Sequence, residues 1–174
     1  MEESLITFRR LQKSDLNLMF IWLNEAHVHK WWGQDGTSQE EITEQYIQVI
    51  NGKEPTRGFI ISYNEKPIGY IQTYTINDYP EYVEQLDLKD LAGMDIFIGD
   101  KDFTGKGLGA KIIKKFTKDI VFPMFQDVSG CIADPATLNS ASIGAFQKAG
   151  FEYLKDSYDR ETGEKEVVLI LKRS

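Results

Sequence analysis

Residues 93–110 read G-M-D-I-F-I-G-D-K-D-F-T-G-K-G-L-G-A. An apolar run holding Met94, Ile96, Phe97 and Ile98 stops at a turn, and Gly105, Gly107 and Gly109 lead straight into an amphipathic stretch. The pattern is a strand, a backbone-exposing loop and a helix N-terminus. Glycine at such positions lets the main chain take positive φ and aim successive N–H groups at one anion. The helix dipole adds to that attraction, so phosphate binding is the first expectation. The spacing G-x-x-x-x-G-K-[ST] of a nucleoside-triphosphate loop is missing, and so is the dinucleotide spacing G-x-G-x-x-G. A plain Gly-rich turn capping a helix is the competing reading.

Around this centre, 174 residues suffice for one domain with a sizeable core. An apolar content of 41% with 12% aromatic residues is globular rather than disordered. The lone Cys131 sits in an apolar run and cannot form an internal disulfide, which points to a reducing compartment. The acidic start M-E-E-S-L has no apolar signal core, and no window is long enough to span a membrane, so the expected location is cytoplasmic. A net charge of −7 argues against a nucleic-acid partner. The charge is unevenly spread: from Asp78 to Asp95 there are six acids and one Lys, and from Lys101 to Lys118 six lysines and one Asp. The first tract suits a cation and the second an anion, unless both are simply solvated faces.

In chain order, Ser4–Phe8 reads as a strand, and the spacing of Leu16, Met19, Phe20 and Leu23 as a helix ending near Glu25 to His27. His27 and His29, with no other His in the chain, fit a structural role better than a metal site, and no metal is expected. Trp31 and Trp32 cannot share one face of an irregular segment, so one lines a cleft or both pack inward. Ser38 to Glu41 is a capping box opening a second helix that Asn51-Gly52 closes. G-F-I-I-S-Y and I-G-Y-I-Q-T-Y form two strands across a tight turn, with Tyr70, Gln72 and Tyr74 on one face, a face polar enough to border a wet cleft. An acidic loop from Asp78 to about Leu91 follows. After the strand and the Gly loop comes a helix from Gly107 to about Phe122, with Leu108, Ile112, Ile113 and Phe116 inward and Pro123 as its stop. Val128–Ala133 is a strand, Asn139 caps a helix that stops at Gly150, and Phe151–Leu154 pairs with Glu166–Leu171. The order β-α-α-β-β-β-α-β-α-β-β predicts an α/β protein with a central mixed, mostly antiparallel sheet and helices on both faces.

That order, the T-G-K-G-L-G loop and the ending D-P-x-x-x-N-x-x-x-I-x-x-x-x-K-A-G-F resemble the GNAT acyl-CoA transferases, whose loop is usually [RQ]-x-x-G-x-[GA]; Thr104 stands at the Arg or Gln position. The resemblance narrows to aminoglycoside 6'-N-acetyltransferases through W-L-N-E with W-W-G, Glu44 to Tyr46, P-I-G-Y-x-Q-x-Y from Pro67, and G-M-D-x-F-I-G from Gly93. It spans roughly residues 21 to 151 and implies a single GNAT domain over residues 1–174, a monomer or homodimer. It further implies direct transfer of acetyl from acetyl-CoA to a primary amine of a cationic small molecule.

By this resemblance Asp95 is the base that takes the ammonium proton. Trp32, Tyr46, Gln72, Tyr74 and Asp134 contact the acceptor. Strand backbone at Phe97 and Ile98, the loop of Thr104, Gly105, Lys106, Gly107, Leu108 and Gly109, and Asn139 hold the cofactor. The pattern breaks at Phe146, where these enzymes commonly carry a tyrosine that serves the departing thiolate; a phenyl ring has nothing to donate. Tyr153 is one substitute. Two other functions stay open: acetylation of a siderophore precursor or polyamine, and a non-catalytic acyl-CoA-binding module.

Overall fold

The computed structural model describes residues 1–32 and 38–174. Gly33 of W-W-G and the Q-D-G after it lie outside the described residues. Among the described residues seven strands form, β1 (Ile6–Arg10), β2 (Arg57–Tyr63), β3 (Lys66–Thr75), β4 (Ala92–Ile98), β5 (Gly130–Ala133), β6 (Glu152–Tyr158) and β7 (Lys165–Lys172). Seven α-helical segments accompany them: α1 (Leu16–Leu23), α2 (Ala26–His29), α3 (Gln39–Ile50), α4 (Pro80–Leu86), α5 (Leu108–Phe116), α6 (Phe122–Met124) and α7 (Ser140–Lys148). The strands are hydrogen-bonded in the order β1-β2-β3-β4-β5-β7-β6. The sheet is mixed: β4 and β5 are parallel, whereas β1 with β2, β2 with β3, β5 with β7 and β6 with β7 are antiparallel. Among the described residues no helix is long and apolar enough to cross a membrane.

The chain forms two compact units, and each has its own logic. The first comprises Glu2–Thr73 and Asp95–Thr104. Its hairpin β2-β3 turns at Asn64 and Glu65, both at positive φ, as a two-residue turn between right-twisted strands requires. Ser38 and Glu41 cap α3 reciprocally, the Glu41 N–H donating to Ser38 Oγ (3.1 Å) and the Ser38 N–H to Glu41 Oε2 (3.0 Å). Arg9 grips Asp15 with both guanidinium nitrogens (2.7 and 2.6 Å), and the Gln12 N–H adds 2.9 Å, fixing the start of α1 against the end of β1. Met19, Trp22, Leu23, Ile42, Tyr46, Ile60, Tyr70 and Phe97 are buried together as this unit's core. The placement of Tyr70 corrects the wet-face expectation. Its ring is fully buried and only its hydroxyl remains for polar work.

The second unit comprises Met1, Tyr74–Met94 and Gly105–Ser174. The stretch expected as a loop from Asp78 contains the helix α4, because Pro80 supplies a helical φ at the first turn and Asp87, left-handed at φ 51°, stops it. Leu108, Ile112, Ile113 and Phe116 of α5 are buried, as their spacing predicts. Pro123 does not stop that helix. The ladder widens to a π-turn over Thr117–Val121, and Pro123 enters the first turn of α6, where the missing N–H costs nothing. Asn139 caps α7 by accepting the Ser142 N–H (3.1 Å). The closing hairpin is longer than its apolar residues indicate, running to Tyr158 and restarting at Lys165. Ile76, Leu86, Leu91, Ile132 and Val168 form this unit's own buried cluster.

Candidate active site

In the first unit the strand alternation of β3 places Tyr70 and Gln72 on one side, and alternation of β4 does the same for Asp95 and Phe97. The Tyr70 hydroxyl donates to Gln72 Oε1 (3.0 Å), and Gln72 Nε2 donates to Asp95 Oδ2 (2.9 Å). This chain runs from a fully buried ring to a half-buried carboxylate and fixes where the carboxylate points. Aromatic edges frame it: Trp32 lies edge-on to Phe97 and Tyr70 at 5.0 and 6.1 Å between centroids, and Tyr46 to Tyr70 at 5.5 Å. Trp32 Nε1 donates to the Tyr46 hydroxyl (3.2 Å). Five of the residues assigned from sequence, Trp32, Tyr46, Gln72, Asp95 and Phe97, therefore stand in one bonded and packed group. Tyr70, which sequence reasoning did not assign to the site, is its hub. Its signal was present in the alternation with Gln72, but a tyrosine hydroxyl in a strand reads equally as a solvent group.

The far end of β4 belongs to the same unit. His27 Nε2 donates to the Ile98 carbonyl (2.9 Å), so this histidine is a structural anchor. Glycine at position 69 is obligatory for packing, since a Cβ there would lie 2.3 Å from the Phe97 carbonyl oxygen. Asp100 Oδ1 accepts the Asp102 N–H, and the Thr104 hydroxyl donates to the Lys101 carbonyl (2.8 Å), shaping the approach to the Gly loop.

In the second unit Gly105 and Gly107 take φ of 68° and 76°, and Gly107 is the N-cap of α5. A Cβ at either would meet nothing within 4 Å, so the loop's outer side is open. Lys106 is exposed between them, and Leu108 opens α5 with its side chain buried. The first N–H groups of the helix have no acceptor within it and face the same way. Gly109 does a different job: a Cβ there would sit 3.2 Å from Ala145 Cβ, so its hydrogen permits close packing of α5 on α7. The parallel ladder between β4 and β5 comprises the two register pairs Ala92 with Cys131 and Gly93 with Ile132. Tyr74 fills the space that a side chain at position 93 would take, 2.3 Å from its ideal Cβ.

Tyr74 is edge-on to Tyr79 (5.4 Å) and packs near Tyr82 (6.4 Å). The Tyr82 hydroxyl donates to Asp134 Oδ2. Burial raises the Asp134 carboxyl above its ordinary range, Tyr82 pulls it back, and the charge of Asp159 pushes it up again. A raised native value means the folded chain binds this proton more tightly than the unfolded chain. Its stability contribution is full below the ordinary aspartate value and is lost as pH rises through the native one. Asp134→Asn is therefore expected to raise the melting temperature at pH 7, with the advantage vanishing below about pH 4. Melting curves from pH 3.5 to 8 check this; a variant less stable than wild type at neutral pH would contradict it.

Three comparisons bear on this geometry. Residues 12–157 match the acetyltransferase (GNAT) domain family. An aminoglycoside N(6')-acetyltransferase type 1 of Klebsiella pneumoniae is 30% identical over 152 residues, covering 84% of this chain and 74% of that protein. The chain belongs to the GNAT acetyltransferases. The solved structure of AAC(6')-Ib in complex with paromomycin and acetyl-CoA has a TM-score of 0.85 at 26% identity, covering 97% of this chain and 93% of that one. The structure of AAC(6')-Ib with coenzyme A and kanamycin also has a TM-score of 0.85 at 26% identity, covering 97% of this chain and 95% of that one.

As a GNAT acetyltransferase the chain is an enzyme of acyl transfer, and its departure at Phe146 has a structural side. Phe146 is 2% exposed and packs edge-on to Phe151 (5.1 Å). The ring is a core residue on α7. Tyr153, the alternative donor, is exposed and its hydroxyl donates to Asp156 (3.1 Å). Phe146→Tyr must house a hydroxyl inside that packing and is expected to lower stability by about 1–2 kcal/mol, read as a shift in the urea midpoint. An unchanged midpoint would mean that the α7 surface has room for the hydroxyl.

Proposed function

We propose that this enzyme transfers the acetyl group of acetyl-CoA to the 6'-amine of an aminoglycoside, by direct attack within a ternary complex. The observation that carries the mechanism is the Tyr70–Gln72–Asp95 hydrogen-bond chain, which aims a half-buried carboxylate. An amine near neutral pH is protonated and cannot attack. Asp95 binds that ammonium and takes its proton, directly or through one water. The freed nitrogen attacks the thioester carbonyl carbon, the C–N bond forms, the C–S bond breaks to release the CoA thiolate, and the proton still carried by the new amide nitrogen leaves to solvent. A thiolate is a good enough leaving group to depart without a tyrosine; solvent supplies the proton it finally takes.

Trp32, Gln72 and Tyr74 present ring faces and hydrogen-bonding edges to the amino sugar, and Asp134 pairs with another of its ammonium groups. Tyr46, proposed from sequence as a direct contact, is buried and serves the acceptor by holding Trp32 through its hydroxyl. Backbone groups of Phe97 and Ile98 bind the pantetheine arm, and the N–H groups from Thr104 to Gly109 bind the pyrophosphate. Lys106 adds a positive charge, and Asn139 meets the cofactor at the start of α7. The whole of residues 1–174 acts as one acetyltransferase domain in the cytoplasm. The 30% identity to the Klebsiella aminoglycoside N(6')-acetyltransferase supports the choice of acceptor.

The test is release of free CoA thiol by the purified protein with kanamycin-type aminoglycosides, polyamines and hydroxylamine-bearing siderophore precursors. Saturable turnover that requires a free 6'-amine supports the reading. Turnover confined to the polyamines or precursors would replace the acceptor, and CoA binding without turnover on any amine would leave a binding module.

A further inference from the structure

We infer that Tyr82 is a positioning residue for the acceptor, its phenolic O–H holding Asp134 Oδ2 as an aimed anion for an ammonium group of the cationic substrate. The inference rests on the function proposed above, in which Asp134 meets that substrate, and it assigns a role to a residue of α4 that the sequence left in an acidic loop.

The geometry that carries it is the anchoring of both partners. Tyr82 sits in the middle of α4, with its ring against Tyr74 and the buried cluster around Leu86 and Leu91. Gln85, on the next turn, donates to Ser157 Oγ (3.2 Å) and to the Tyr158 carbonyl, while Lys155 Nζ donates to the Leu86 carbonyl. These bonds tie α4 to β6, so the phenol has little freedom to swing. Asp134 leaves β5 at a turn that is itself held: the Val167 N–H donates to the Pro135 carbonyl (3.1 Å) and the Thr137 N–H to the Lys165 carbonyl (2.8 Å). A rigid donor therefore meets a rigid acceptor.

Asp134 is faced by Tyr82 from α4 and, through its charge, by Asp159 from the segment after β6. Lys165 and Glu166 lie on β7 alongside the same turn. Burial and Asp159 disfavour the Asp134 carboxylate, and the phenol's hydrogen bond opposes them. A carboxyl held for stability alone would be better replaced by an apolar side chain of similar size. One pointed at a fixed spot gains its value when a cation arrives.

The experiment compares wild type, Tyr82→Phe, Asp134→Asn and the double variant. For Tyr82→Phe, KM for a kanamycin-type acceptor is expected to rise about tenfold, as for one lost charge-assisted hydrogen bond. The turnover number should change less than twofold and KM for acetyl-CoA should not change. The acid limb of the acceptor KM profile should move to higher pH. In the Asp134→Asn background the same substitution should add nothing to the acceptor KM. A readout independent of activity is the difference in melting temperature between pH 4 and pH 8, which should grow in Tyr82→Phe and not in the double variant.

Equal KM values and equal melting differences in wild type and Tyr82→Phe would overturn the inference while leaving the enzyme's function standing. A fully additive double variant would overturn it too. A wild-type protein inactive on every amine would defeat the function first, and this role with it.

Discussion

Asp95→Asn is expected to lower turnover on the acceptor by roughly 10²-fold or more, the usual range for a lost general base. The substitution is nearly isosteric, and an amide oxygen can still accept the Gln72 Nε2 hydrogen bond seen at 2.9 Å. The Tyr70–Gln72 arrangement behind it should persist, so the fold and the aromatic frame are preserved. What disappears is the negative charge and the basic oxygen. The amine then loses the basic oxygen proposed to take its proton, and solvent is left to take it. Acetyl-CoA affinity, measured by calorimetry on the same preparation, should stay near wild type, because the Gly loop is untouched. Raising the pH should recover part of the loss as more amine is free in solution. A turnover number within a few-fold of wild type would remove Asp95 from the base role, whatever the binding data show.

The second large effect is expected at Gly69, where alanine should destabilise the protein by about 3 kcal/mol, the upper end of what overpacking costs. The reason is the kind of atom that an added Cβ would strike. It would lie 2.3 Å from the Phe97 carbonyl oxygen and 3.0 Å from Ile98 Cα, both main-chain atoms. A side chain can rotate away; a strand backbone cannot without lengthening the bonds around it. The neighbouring Ile68 carbonyl accepts both the Gly99 and Asp100 N–H groups (2.9 and 3.0 Å), so β4 and its exit turn would be displaced together. For a chain of this length such a loss should lower the melting temperature by roughly 6–12 °C. Because Phe97 and Ile98 are the proposed pantetheine contacts, acetyl-CoA affinity of the folded fraction should fall as well. A melting temperature within 2 °C of wild type, on the scale set by about 0.5 kcal/mol, would refute the argument.

The local grammar of the chain carried much of this. Gly105 and Gly107 announce positive φ, Ser38 and Glu41 announce a helix start, and Asn139 announces another, because each feature depends only on a few neighbouring residues. Pro123 shows the limit of that grammar. Proline excludes the interior of a regular helix, but a π-turn ahead of it converts its position into a first turn, and residue type alone does not announce the π-turn. The stretch after Asp78 shows another limit. Its charge pattern hides a seven-residue helix whose apolar face, Val83 and Leu86, is short enough to pass for chance.

The amino-acid sequence by itself determined the family, the strand-loop-helix at Gly93 to Ala110, and the residue types able to hold an ammonium or a phosphate. These follow from backbone freedom, hydrophobic period and side-chain chemistry, all local in the chain. The tertiary structure alone decided which of those groups meet. Tyr70 is buried so that its hydroxyl reaches Gln72 and, through it, a carboxylate 23 positions from that glutamine. Tyr82 finds Asp134 across 52 positions. Phe146 is packed against Phe151. A hydrogen bond needs two atoms within about 3 Å and in line, and that condition between distant positions is set by the packing of the fold, not by the identity of either residue.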